Sequence, residues 1–519
     1  MCGHQHSCHQ NCGGCSASLS RRRFLGRAAA GAGLIGGLAS CSHAHAEEKT
    51  KPRVGVVFAS KPVNVGDEVW PYPGYEREPR IREVLDALRK GCPDIEFVSY
   101  WSEDPEDRRR YEAEIKDVDG ILLHVMTLHW EFKGSMAQMA GFGKPMIVSD
   151  EFLGGSGVFL TGLPALLDTG KVAAVSTTRL ADLVTVARCF TKAKEVDQQA
   201  FAKMAMHEYR KTFATSGEMN TLDDPIDIPP ISEVVDALRK KQFLVIGAGT
   251  KAIEVDVLGT KAIYRGFEEL DAYYQEIDPE AVEEKADSWI ARAEKVVEPE
   301  RKPITEAARV ALAIRKLLAK HDTDTITMNC LGGFNQGKLP AYPCLGFTDL
   351  LDEGGHGVCE AQPDDTLSMY IARLLTGRSG FVSDPVLDTS KNQIIYAHCM
   401  APTKMLGTDT EGSRFKIRSL HNRDPRGACV QSFMPDGYMT TTFRTDYRRK
   451  TLILHRAKAV GNLDSERGCR SQLVGEVDGD IERLMRHWYA WHRVTVYGDI
   501  KEPLVELADA LGLKVIEEA

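Results

Sequence analysis

At 519 residues the chain is too long for one ordinary hydrophobic core, so two or three domains are expected. Hydrophobic residues make up 43% and charged residues 27%, the balance of a globular protein that folds in water. A net charge of −9 argues against a surface built for nucleic acid or for an anionic membrane.

The first 46 residues have a character of their own. Ser20-Arg21-Arg22-Arg23-Phe24-Leu25 has the form of a twin-arginine export signal, and the apolar run AAAGAGLIGGLAS after it is too short to span a bilayer stably. Two processing points compete. Leu38-Ala39-Ser40-Cys41 resembles a lipoprotein box, which would leave a lipidated Cys41, whereas Ala44-His45-Ala46 is an A-x-A site that would release a soluble protein. The lipoprotein form is favoured, and either form places the protein outside the cytoplasm. The tract Cys2, His4, His6, Cys8, His9, Cys12 and Cys15 has metal-binding composition, but it sits in a segment that processing would remove. The remaining cysteines, Cys92, Cys189, Cys330, Cys344, Cys359, Cys399, Cys429 and Cys469, are widely spaced and form no CxxC pair or disulfide framework. A twin-arginine substrate folds before export, which suits buried reduced thiols. A zinc site among Cys330, Cys344, Cys359 and Cys399 lacks the usual ligand spacing.

From residue 53 onward, strand-like runs alternate with helical ones: RVGVVFAS, REPRIREVLDALRKG, IEFVSYW, GILLHVM, GSMAQMAGF, PMIVSD and KVAAVST. This alternation predicts a parallel α/β domain over 50–178, followed by a long helical stretch from about Leu180 to Phe213. The proline-bearing link TLDDPIDIPP (221–230) leads to a second α/β unit, assigned to 179–378, with strands KQFLVIGAG and TITMNC and a loop GGFNQGKLPAYP. Over 379–519 the runs become short, strand-like and punctuated by turn residues, which predicts a β-rich, barrel-like domain. The expected fold is thus two Rossmann-like parallel α/β domains and a C-terminal β-rich domain.

Two glycine motifs suggest a dinucleotide and fail on context. GAGLIG (31–36) lies in the export segment, and Gly247-Ala248-Gly249-Thr250-Lys251-Ala252 is followed by strand-like IEVDVLGTKAIY, with no helix N-terminus for a pyrophosphate. A nicotinamide oxidoreductase remains a competing reading.

The informative stretch is 343–402. It carries Glu360 after a short apolar segment, an amphipathic helix pattern, Asp384 at a strand-to-loop position and His398 closing a strand. Each has an ordinary reading alone: a helix-capping glutamate, a turn-forming aspartate, a core histidine. Together, with apolar flanks that make an unpartnered charge costly, they form a ligand set for a divalent metal.

The run PCLGFTDLLDEGGHGVCE (343–360), Asp384, the HCMAP of 398–402 and the WHRVTVYGD of 491–499 resemble the L-fucose/L-arabinose isomerase superfamily. The resemblance implies that Glu360, Asp384 and His492 hold Mn²⁺ or another divalent cation. It also implies that Glu360 and Asp384 carry the proton, and that His398 and Trp491 contact a sugar substrate. His487 is a weaker alternative for the last ligand. The resemblance further implies a homo-oligomer and an aldose–ketose isomerisation through an enediol. A metal would stabilise the developing enediolate while a carboxylate moves the carbon proton. An exported sugar-binding protein with the same fold and no turnover is the alternative.

Overall fold

The structure is a computed structural model that describes residues 50–64, 70–101, 111, 113–215, 217–249, 252–421 and 424–519. The export signal, both processing points and the N-terminal Cys/His tract lie outside the described residues. Five parallel strands form the first sheet: β1 (Arg53–Ala59), β2 (Glu96–Tyr100), β3 (Gly120–Val125), β4 (Met146–Asp150) and β5 (Val172–Val175), in the order β2-β1-β3-β4-β5. Every residue of β3, β4 and β5 is buried, as expected of strands covered on both faces. The helix Arg77–Gly91 buries Ile81, Val84, Leu85 and Leu88, the single apolar stripe its sequence spacing encodes.

The helical stretch expected after β5 is two helices, Leu180–Ala187 and Gln198–Arg210, with a 3-10 turn at Arg188–Lys192 between them. Asp197 separates them: its backbone is extended and its carboxylate accepts the Ala200 N–H at 2.8 Å, starting a new helix. The second helix is tied to the sheet, since Tyr209 Oη accepts the Ser176 N–H at 2.7 Å.

The second sheet contains β6 (Gln242–Ile246), β7 (Ile253–Val257) and β8 (Thr260–Arg265); after a two-residue strand β9 (Lys295–Val296) that joins another sheet, it adds β10 (Thr325–Met328) and β11 (His356–Cys359). The order is β11-β10-β6-β8-β7, parallel throughout except for β7 against β8. Leu258 and Gly259 have φ of 52° and 88°, the paired positive values of a tight hairpin turn. The Gly247 turn therefore runs into a hairpin and not into a helix. The stretch expected as a loop after β10 begins with a short helix, Cys330–Asn335, because the Asn329 side chain accepts the Gly332 N–H at its start.

The C-terminal strands are β12 (Phe381–Asp388), β13 (Gln393–His398), β14 (Phe415–Leu420), β15 (Asp424–Ser432), β16 (Met439–Asp446), β17 (Thr451–Asn462), β18 (Ser471–Asp478), β19 (Arg493–Tyr497) and β20 (Lys514–Glu517). Six of them close on themselves as β16-β19-β12-β13-β18-β17, with β17 pairing back to β16, and β20 adds outside β17. A closed barrel leaves no free sheet edge among its members. β14 and β15 leave the barrel and pair with β9 in a small separate sheet.

Asp384 corrects one expectation. It lies inside β12, paired with Ala397 of β13, and not at a strand-to-loop junction. The Asp-Pro pair reads as a turn, yet Pro385 stays in register with Tyr396 of β13, at a point where pairing with β19 has already ended at Ser383. Val382 and Val386, on the face of Asp384, join the apolar cluster of the second sheet, whereas Phe381 and Leu387 join that of the first. Lys51–Ala519 forms one compact unit, with the barrel shared between both clusters.

Candidate metal centre

Backbone topology brings four of the sequence-predicted residues to one place. β11 ends at Cys359, so Glu360 stands at the C-terminal edge of the second sheet. Antiparallel pairing places the entry of β19 and the exit of β13 beside Asp384: Ser383 pairs with Arg493, and Asp384 pairs with Ala397. His492, just before β19, and His398, the last residue of β13, are thereby carried to the same end of the barrel.

Glu360 and Ala361 both adopt left-handed backbone, with φ of 65° and 51°. For residues with a Cβ this conformation costs about 1–2 kcal/mol each, and it persists only where the surroundings enforce it. The enforcement is visible. Ala361 N–H donates to the Met328 carbonyl at 2.9 Å, and Gln362 N–H donates to Thr327 Oγ1 at 3.0 Å. Two hydrogen bonds from β10 thus fix the turn that aims Glu360.

The donors converge. Glu360, His398 and His492 each offer an atom within 4.8 Å of the others. Glu360 Oε2 is 3.7 Å and Asp384 Oδ1 is 3.2 Å from His492 Nε2. The two imidazoles meet edge to face at a centroid distance of 5.4 Å. Asp384 Oδ1, His398 Nδ1 and His492 Nε2 are all buried without a hydrogen-bond partner among the described residues. Buried polar atoms ordinarily find partners, and three unpartnered atoms on residues that converge here mark a place for a bound group. The donor set, carboxylate oxygens and imidazole nitrogens, fits a divalent cation such as Mn²⁺. Glu360, with a side chain 26% exposed, gives the group its contact with solvent, while the His492 side chain is fully buried.

A second layer orients the centre. The helix Pro363–Thr376 starts with Pro363 in its first turn and ends at Gly377, whose φ of 69° and N–H bond to the Arg373 carbonyl close it before β12. From its first turn Asp365 accepts a hydrogen bond from His492 Nδ1 at 2.8 Å, which leaves Nε2 to face Glu360 and Asp384. Arg444 of β16 pairs with the same aspartate. A carboxylate behind a ligating histidine fixes its tautomer and raises its basicity. Burial opposes charge on His492, but Glu360, Asp365 and Asp384 outweigh it and hold its pKa well above the ordinary range. At His398 burial dominates and pushes the pKa down, so that ring is neutral.

Trp491 and His487 are placed elsewhere. The Trp491 ring rests 4.4 Å from that of Trp130 and against Gly157, where a Cβ would stand 2.7 Å from the indole. His487 ends the helix Ile481–His487 and lies near Arg483, Arg486 and Asp168. Neither is in the donor group.

Sequence reasoning missed Asp365, although an acidic residue in the first turn of a helix directly after Glu360 was a signal. It also missed His421 and Cys469. A cavity of about 30 Å³ runs beside the centre, lined by Glu360, Asp384 and His398 together with Cys399, His421 and Cys469. That is room for an ion or a water, not for a sugar. The loop holding Cys469 is anchored to the first sheet. Arg467 donates to Glu151 at 2.8 Å, and Gly468 N–H to the Pro71 carbonyl at 2.7 Å.

No protein-family model matches the chain. The sulfoquinovose isomerases of Priestia aryabhattai and Priestia megaterium are each 26% identical to it over 251 residues, 46% of this chain and 55% of theirs. The sulfoquinovose isomerase of Clostridium sp. (strain MSTE9) is 27% identical over 213 residues, 38% of this chain and 46% of the relative. The chain spans about half the length of the curated relatives it matches, and those relatives are sugar isomerases.

Proposed function

We propose that the protein is a metal-dependent aldose–ketose isomerase that works through an enediol. The observation that carries this reading is the convergence of Glu360, His398 and His492, with Asp384 against His492, and three buried polar atoms among them unsatisfied. The likeness to sulfoquinovose isomerases supports it independently.

Glu360, Asp384 and His492 would hold the cation, with His398 as a further ligand or a contact to the sugar. A bound divalent ion would supply Lewis-acid polarisation of neighbouring sugar oxygens. The chain's own residues do the rest. Glu360, aimed by its strained turn and the most exposed of the four, takes the proton from C2 of the open-chain aldose and returns it to C1. The hydroxyl proton at O2 passes to O1 in the same sense, so the product is the ketose and no redox partner is consumed. General base catalysis of this kind contributes about 10²–10⁴-fold. Asp365 keeps His492 Nε2 directed at the centre throughout. The sugar contact expected of Trp491 would have to be made from its place beside Trp130 and Gly157, outside the donor group.

The same reading carries export by the twin-arginine machinery after metal loading in the cytoplasm, a lipid anchor at Cys41 and a homo-oligomeric state. The test is elemental analysis of the protein from its native host beside a Glu360→Gln/Asp384→Asn variant, followed by an isomerisation assay. Sulfoquinovose comes first, then fucose and arabinose. About one manganese per chain, lost in the variant, together with turnover of an aldose supports the proposal. Metal without turnover of any sugar favours a binding protein, and no metal in either form overturns the proposal.

A further inference from the structure

Beside the oxygen-and-imidazole centre lies a donor group of different chemistry. Cys399 follows β13, His421 follows β14 and Cys469 precedes β18, so three separate segments deliver them to the same end of the barrel. All three are buried, and their donor atoms lie within 4.8 Å of one another. His421 Nδ1 is 3.6 Å from Cys399 Sγ and 3.3 Å from Cys469 Sγ. A tetrahedral zinc ion, with Zn–S near ~2.3 Å and Zn–N near ~2.0 Å, needs donors about 3.4–3.8 Å apart. Both sulfur–nitrogen edges are therefore already close to the required length. His421 also holds left-handed backbone, with φ of 37°, a conformation a residue with a Cβ keeps only under constraint. A fourth donor is at hand, since Asp384 Oδ2 is 3.9 Å from Cys469 Sγ.

We propose that Cys399, His421 and Cys469 form a thiolate site for zinc, completed by Asp384 Oδ2. Two sulfurs and an imidazole select Zn²⁺ over Mn²⁺, whereas the neighbouring oxygen-rich group selects the reverse, so the two sites take different ions. On binding, the Cys399 and Cys469 thiol protons leave to solvent as two metal–sulfur bonds form. Cys429 stays outside the shell, its thiol donating to the Ser419 carbonyl at 3.4 Å. Asp384 then faces both ions, Oδ1 toward His492 and Oδ2 toward Cys469. If the isomerase reading holds, an aspartate engaged on both oxygens cannot carry the proton, and that role falls to Glu360 alone.

The test uses the full chain, metal-stripped and reduced under argon, titrated with Co²⁺. One cobalt per chain should give a sulfur-to-cobalt charge-transfer band with the strong visible absorption of tetrahedral coordination. Glu360→Gln should keep the band, because Glu360 supplies none of its sulfur or imidazole donors, and the Cys399→Ser/Cys469→Ser variant should lose it. Zinc-loaded wild type supplies a readout that does not depend on a variant folding: a mercurial that blocks two thiols should release one zinc per chain to a chromophoric chelator. Absence of the band in reduced wild type, its survival in the double variant, or a Cys399–Cys469 disulfide found by mass spectrometry in freshly isolated protein would overturn the proposal. Loss of manganese with the cobalt band intact would count against the isomerase centre alone.

Discussion

Asp365 Oδ2 sits 2.8 Å from His492 Nδ1, so an aspartate on the helix after the second sheet decides which way a histidine at the mouth of the barrel points. Asp365→Asn keeps the shape but loses the charge that favours this tautomer and pairs with Arg444. Metal affinity should fall about 10- to 100-fold while the fold is retained. Competition titration against a Mn²⁺ chelator, with circular dichroism as the control, checks this; unchanged affinity would make Asp365 a purely structural residue.

Glu360→Gln removes the proposed proton carrier and one charged donor without changing size. Turnover should drop by at least about 10²-fold, with a melting temperature close to wild type because Glu360 is the most exposed member of the group. Retained turnover would take Glu360 out of the mechanism.

Metal binding should depend on pH in a definite direction. His492 has its pKa raised well above the ordinary value, and Nε2 must be free of its proton before it can ligate. Below that raised pKa the apparent affinity should fall about tenfold for each unit of pH, as proton and cation compete for one nitrogen. Isothermal titration at several pH values in two buffers of different ionisation enthalpy measures the released proton directly. A flat profile would show that His492 is not a ligand.

The barrel seam predicts an acid-sensitive element. Glu518 is fully buried and accepts from Arg493 at 2.7 and 3.0 Å and from His455 at 2.9 Å. Burial alone would raise its pKa, but Arg493 and His455 outweigh burial and bring it from 4.5 to about 2. A depressed carboxylate pKa stabilises the fold above pH 4.5, and that contribution is lost as pH falls toward 2. The amount is roughly 3 kcal/mol. Urea denaturation at pH 7 and near pH 3 should show the loss in wild type, and Glu518→Gln should be weaker at pH 7 with a smaller further loss in acid.

Export offers a prediction that concerns Cys41. Cys41→Ala should shift the mature protein from the membrane fraction to the soluble periplasmic one if the lipoprotein box is used. Unchanged fractionation would favour cleavage at Ala44-His45-Ala46.

Much of the architecture was legible because its signals are local. Val- and Ile-rich runs separated by amphipathic helices encode the two parallel sheets, and the change to short punctuated strands after residue 379 marks the barrel. Closure was not legible, since the pairing of β16 with both β17 and β19 is a long-range fact that no strand carries in its own residues. Asp384 shows how a local rule misleads. An Asp-Pro pair has turn chemistry, but here it lies inside β12, still paired with β13 where the β19 pairing has ended. The placement of Glu360, His398 and His492 together follows from strand ends meeting. Asp365, His421 and Cys469 join them through contacts spanning 127, 22 and 85 residues, respectively to His492, Cys399 and Asp384. Such distances leave no periodicity to read.

The strained turn at Glu360 and the histidine that faces it are also separated in time. A ribosome delivers Glu360 first, then Asp384 and His398, and reaches His492 only after most of the barrel strands have emerged. Until then Asp365 has Arg444 at best and no imidazole to orient, and three of the four donors await the last. The four-donor centre is thus completed only once His492 has been made, and until then a cation would meet three of its donors at most.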